Sequence, residues 1–123
     1  MRDFRQLQVW ERAHALVLLI YRLTGTFPKQ EMYGLTSQMR RAAASIPANI
    51  AEVCGRSGNG DLHPFLGMAM GSVAELEYFC ILAKDLNFFA EDSYRVAQGQ
   101  INELQRMLSA LIRKVEAARK SPK

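Results

Sequence analysis

Apolar residues recur at intervals of three and four along nearly the whole chain, while no stretch shows the strict alternation of a half-buried strand. The pattern predicts helix throughout. The first segment runs from about 7 to 24, with Val9, Ala13, Leu16, Val17, Ile20 and Leu23 on one face and Gly25 and Pro28 to end it. A second covers about 35 to 54, striped by Leu35, Met39, Ala42, Ile46, Ile50 and Val53. Pro47 lies inside it and has no N–H for the Ala43 carbonyl, so a kink or break is expected there. The run Gly55-Arg56-Ser57-Gly58-Asn59-Gly60 is the clearest loop signal.

The third segment spans about 61 to 86, with Leu62, Phe65, Leu66, Ala69, Val73, Leu76, Cys80 and Ala83 in its stripe. Pro64 falls in its first turn, where the amides have no intrahelical partner. Gly67 and Gly71, one turn apart, are expected to admit the backbone of a packed neighbour. The fourth covers about 91 to 119. Its seam of Tyr94, Ala97, Ile101, Leu104, Leu108, Leu111, Val115 and Ala118 has heptad spacing, and Glu91 and Asp92 favour the helix dipole in its first turn. Short links between four amphipathic helices predict an all-α, antiparallel up-down-up-down four-helix bundle, with residues 1–123 as a single domain.

Two features exceed what a bundle core needs. On the third helix Met68, Phe79, Leu82 and Leu86 fall beside the stripe, as do Leu18 and Leu19 on the first. A core-facing helix needs an apolar arc of little more than ~100°. This excess predicts burial against another subunit, with Leu18, Leu19, Met68, Phe79, Leu82 and Leu86 as the candidate interface. The second feature is a polar ribbon on the second helix, Gln38, Arg41, Ser45, Asn49 and Glu52, which Glu75 of the third can face. Asn49 sits within the apolar stripe and is expected to be buried and hydrogen-bonded. The ribbon reads as a structural polar network that sets helix register or the subunit interface.

Composition narrows the function classes. The 123 residues are 49% hydrophobic and 23% charged, an ordinary globular balance. The longest apolar run, Ala15–Tyr21, is far short of the ~20 residues that span a bilayer, and Asp3, Glu11 and His14 spoil a secretory signal. A cytoplasmic protein with no membrane partner is expected. Cys54 and Cys80 form no CxxC and read as buried, reduced thiols. The net charge of +4 equals that of residues 113–123, where Arg113, Lys114, Arg119, Lys120 and Lys123 face one acid, Glu116. Arg113, Lys114, Arg119 and Lys120, with Arg40 as an outer residue of the second helix, are the candidate nucleic-acid contacts. The same cations also complement the C-terminal dipole of the helix.

Enzyme motifs are missing. Glu11 and His14 make one Glu-x-x-His, but Gly60 precedes His63 where a second Glu would be needed for a di-iron bundle. No HExxH, phosphate-binding loop or nucleophile-elbow pattern occurs, and Glu75 and Glu77 point to different sides of a helix. The chain reads as non-enzymatic, with no cofactor and no metal.

The opening Phe4 to Trp10, then Tyr21, Phe27-Pro28 and Glu31-x-Tyr33-Gly34-Leu35, lead into a distinctive stretch. It is Gln38-x-Arg40-Arg41-Ala42-Ala43-x-Ser45-Ile46-Pro47-Ala48-Asn49-Ile50-Ala51-Glu52. Phe65-Leu66, Ala69-x-Gly71-Ser72-x-x-Glu75-Leu76-Glu77 and Ala83-Lys84-Asp85-Leu86 follow. Over about 4–112 the chain resembles the bacterial four-helix-bundle proteins also called 23S rRNA intervening-sequence proteins. The resemblance implies an antiparallel bundle assembled as a homopentameric ring, with no established catalytic residue, whose members include proteins encoded within insertions in 23S rRNA genes. In such a ring the charge of +4 is multiplied to about +20 in five copies, which makes RNA or DNA a candidate partner through avidity and counterion release. The resemblance also points to an alternative, a protein-interaction adaptor similar to the accessory protein of diversity-generating retroelements. Val53 stands where the family pattern usually has Gly, so the second helix is expected to continue to Cys54 with Gly55 as its cap.

Overall fold

The computed structural model describes residues 3–55 and 63–120, and of residues 63, 119 and 120 the backbone only. Four helices dominate: α1 (Gln8–Thr24), α2 (Leu35–Gly55), α3 (His63–Asp85) and α4 (Glu91–Lys120). Short 3-10 turns occupy Phe4–Gln6 and Lys29–Glu31. No strand occurs among the described residues. The expected boundaries hold to within a residue or two, apart from the start of the third helix at 61 and the loop before it, which lie outside the described residues.

The helices form a closed square. Each packs on its two neighbours in the order α1, α2, α3, α4, and the backbones of the diagonal pairs α1/α3 and α2/α4 stay more than 8 Å apart among the described residues. The core is one cluster drawn from all four, centred on Leu16, Ile20, Met39, Ile46, Leu76 and Leu104. Side-chain contacts give the direction of α3 and α4. The Lys84 ammonium lies over the Tyr94 ring at 4.7 Å. Earlier on α3, Glu77 accepts from Gln98 Nε2 (2.8 Å) and Gln105 Nε2 (3.2 Å), later on α4. The two helices therefore run antiparallel.

Both described connections are pinned by one aromatic cluster. Phe27, buried after α1, packs on Phe88 (5.4 Å) and Phe89 (5.3 Å) of the α3–α4 turn. Asn87 supplies the left-handed residue of that turn (φ 63°), and the Phe88 amide donates to the Ala83 carbonyl at 2.8 Å. At the start of α2, Glu31 Oε1 accepts from the Leu35 amide (3.1 Å). A Cβ at residue 34 would lie 2.9 Å from that carboxylate and push it aside, so Gly34 leaves room for the cap.

Several expectations change. α2 does not break at Pro47 but runs unbroken to Gly55. Interior proline costs a helix ~3 kcal/mol. Here Ala43, Ile46, Pro47 and Ile50 are all buried, so tertiary packing holds the turn. Leu19 is not an interface residue: it is 5% exposed, in the chain's own core. The reason is that α1 lies in the corner between α2 and α4 and buries a wider arc than one stripe. Phe79 and Leu82 are likewise half-buried against the core. Gly67 and Gly71 admit no neighbour within the protomer. Nothing lies within 4 Å of a Cβ built at either, because α2 and α4 pack on the other sides of α3.

Candidate functional site

Three surfaces carry the chemistry. The first is on α4. Asn102, Arg106, Ser109 and Arg113 repeat at four, three and four residues and so share one line of the helix. With Gln105 they line an open shelf of about 410 Å³, and no carboxylate is among the lining residues. Arg106 and Arg113 are exposed, two turns apart. Lys114 is exposed beside them. Burial on α4 ends at Leu108, so Arg113 and Lys114 belong to the part of the helix beyond the core. The side chains of Arg119 and Lys120, and all of Lys123, lie outside the described residues. Arg106 is a candidate contact that charge counting does not reveal, because it lies outside the basic C-terminal run. Its seven-residue spacing from Arg113 is the signal that finds it.

Several other arginines are engaged within the protomer. Arg12 Nη1 donates to Glu103 Oε1 at 2.6 Å, tying α1 to α4, and Arg95 pairs with Glu91 at 3.6 Å. Arg40 changes role. Its Nε donates to Thr24 Oγ1 (2.9 Å), its Nη2 donates to the Tyr21 carbonyl (3.2 Å), and its guanidinium lies 4.6 Å from the Tyr21 ring centroid. Thr24 is 2% exposed and donates to the Ile20 carbonyl at 2.7 Å. Arg40 is thus a clasp on the C-terminus of α1, where a cation satisfies carbonyls that have no helical donor. It is only half-buried, and the clasp takes it out of the set of freely reaching phosphate contacts.

The second surface is the polar ribbon. Ser45 Oγ and Ser72 Oγ lie 2.5 Å apart in a hydrogen bond between α2 and α3. Ser45 Oγ also lies 2.9 Å from the Ala42 carbonyl, and Asn49 Nδ2 donates to the Ser45 carbonyl at 2.8 Å. Asn49 is half-buried rather than buried and finds its partner within its own helix. Arg41 Nη2 donates to Gln38 Oε1 (3.3 Å), and these two share a cleft of about 240 Å³ with Ser45 and Glu75. Arg41, Gln38, Glu52 and Glu75 are all exposed, so the ribbon is a groove edge and not an internal site. The tighter polar clamp is Glu77 with Gln98 and Gln105 on the opposite side of α3, which periodicity could not show.

The third surface is apolar. Met68, Tyr78 and Ile81 of α3 and Leu86 just past its end are between 41% and 57% exposed, and Leu18 of α1 is 54% exposed. Pro64–Asp85 is, by length and composition, apolar enough to cross a membrane: an 18-residue stretch of it has mean hydropathy 1.4 and is 28% buried. Screening for unbroken apolar runs missed this, because Glu75, Glu77 and Lys84 interrupt the segment without lowering its average enough. The exposed faces of α1 and α3 stand at opposite corners of the square.

Catalytic chemistry finds little support. The His14 ring stacks on Trp10 (5.0 Å, 9° between planes) on the surface. Among the described residues no three His, Cys, Asp or Glu side chains could hold a metal ion. Burial pushes the Cys80 thiol up to about 12, and the nearby Glu77 carboxylate adds to the shift. A thiol held protonated in this way is a poor nucleophile.

The sequence profile of a family described as 23S rRNA-intervening sequence protein matches residues 5–110. No curated protein matches. Among solved structures, the chain is similar to a protein of unknown function from the S23 ribosomal protein family of Bacteroides thetaiotaomicron. The TM-score is 0.74 at 21% identity, with 85% of this chain and 97% of that one covered. At that identity the likeness speaks for the fold.

Proposed function

Because the chain belongs to the 23S rRNA-intervening sequence protein family, we propose that it is a non-enzymatic, homo-oligomeric scaffold, a ring of five, that holds RNA or DNA through repeated cationic surfaces. The observation that carries this reading is the pair of exposed apolar faces on α1 and α3, at opposite corners of one protomer. Faces so placed favour head-to-tail packing, α1 of one copy on α3 of the next, and a head-to-tail contact that closes makes a ring. Gly67 and Gly71 leave the α3 face open to a close-packed neighbour. Each copy then adds its Arg106–Arg113 shelf and the cationic end of α4, and a protomer of charge +4 becomes a polycation. Multiplied contacts raise avidity, and phosphate neutralisation releases counterions.

The test is sedimentation velocity at micromolar concentration, paired with anisotropy of labelled RNA across a salt series. The expected outcome is a particle several times 13.9 kDa whose affinity falls steeply with salt. Arg106→Glu with Arg113→Glu lowers the salt slope by about 2. A lone protomer, or binding indifferent to salt, overturns the reading.

A further inference from the structure

We propose a second nucleic-acid site, for an unpaired base and its flanking phosphate, in the notch bounded by the end of α1, the α1–α2 connection and the first turns of α2. It rests on the nucleic-acid reading above and adds to it a preference for single strands. The notch holds about 420 Å³ and is lined by Tyr21, Met32, Tyr33, Ser37, Arg40 and Arg41, among others. Tyr33 is 96% exposed, so the protomer makes no packing use of the ring. It directly precedes Gly34, and the Glu31 cap on the Leu35 amide fixes the backbone there. Tyr21 is 46% exposed, and the Arg40 guanidinium already lies over its ring, held by Thr24 and the Tyr21 carbonyl.

Charge selects the occupant. Arg41 and the clasped Arg40, which adds its charge without reaching out, line the notch and no carboxylate does, while Glu31 nearby is engaged by the Leu35 amide. The complement is a flat apolar ring joined to an anion. A nucleotide with its base out of the stack is such a group, and aromatic rings beside cations are how single strands are held without sequence reading. The α4 shelf differs: it offers guanidinium, hydroxyl and amide groups but no ring, so it suits phosphates of single and double strands alike.

The experiment compares a short labelled single-stranded RNA with the duplex of the same sequence, on wild type, Tyr33→Leu and Tyr33→Phe. The full exposure of Tyr33 leaves folding out of the comparison. The expected result is that Tyr33→Leu weakens single-strand binding on the order of tenfold, Tyr33→Phe does not, and the duplex is unaffected. Equal single-strand affinity for Tyr33→Leu and wild type overturns the notch while leaving the α4 shelf standing. A fall in particle mass for Tyr33→Leu overturns it too, since the notch then takes another copy of the chain. If wild type binds neither RNA, the nucleic-acid reading falls and the notch with it.

Discussion

The most decisive perturbation is Met68→Glu combined with Ile81→Lys on α3. Met68 is 56% exposed and Ile81 41%. Full burial of such a side chain is worth ~1.5–3 kcal/mol, so about 1 kcal/mol remains to be gained by each on assembly. The double substitution removes about 2 kcal/mol of that gain. It also forces two charged groups into an apolar contact, at a further ~1–3 kcal/mol each. A loss of about 5 kcal/mol per interface raises its dissociation constant by more than ~10³-fold. The fold is spared because both positions face solvent in the protomer, where substitutions typically change stability by ~0.5 kcal/mol or less. The lysine falls four residues from Glu77 and from Asp85, and the net charge stays at +4. Sedimentation velocity reads the assembly and thermal melting by circular dichroism reads the fold. The variant should sediment as a folded protomer. Leu18→Glu, on the opposite corner, should do the same. Mixing the two should restore one intact contact and produce dimers, which a head-to-tail interface allows. A double variant that sediments with wild type refutes the argument that α3 is an interface.

Three smaller predictions follow from single contacts. Arg40→Met removes the donors to Thr24 Oγ1 and the Tyr21 carbonyl and should cost about 1–3 kcal/mol, read as a lower urea midpoint; an unchanged midpoint would show the clasp to be idle. Glu77→Ala leaves the Gln105 amide without its acceptor and the Gln98 amide with Asn102 Oδ1 alone, and should cost about 1–2 kcal/mol, whereas Glu75→Ala, exposed on the other side, should cost about 0.5 kcal/mol or less. Cys80 should resist a thiol reagent at pH 8 until the protein unfolds. Its folded pKa is raised from the ordinary 9.0 to about 12, so the native state keeps a proton the unfolded chain loses. That contribution to stability is complete below pH 9 and is lost as pH rises through about 12, and a flat alkaline limb in denaturant titrations would contradict it.

Single residues show how far the sequence could be read. The fourth helix was legible almost to the residue, because Ala97, Ile101, Leu104 and Leu108 repeat without ambiguity and all four are buried. Leu18 and Leu19 were not separable. Both lie off the main stripe, yet one is exposed and the other is core, depending on which neighbour fills each corner. Arg40 and Arg41 are adjacent and chemically identical. Only the approach of the α1 terminus makes the first a clasp and leaves the second on the surface. The notch is not legible in the sequence because its two tyrosines are twelve positions apart and belong to no common helical face.

Local periodicity therefore determined helix number, helix limits and most of the core, since a helix of fixed pitch converts spacing directly into faces. It also determined that more apolar surface exists than one bundle can bury. The tertiary structure decided everything that depends on which faces meet. It carried α2 through Pro47, engaged Arg40, paired Glu77 with two amides, and set the unburied faces of α1 and α3 at opposite corners. Those outcomes turn on contacts between residues far apart in the chain, and spacing along one helix carries no information about what lies across from it.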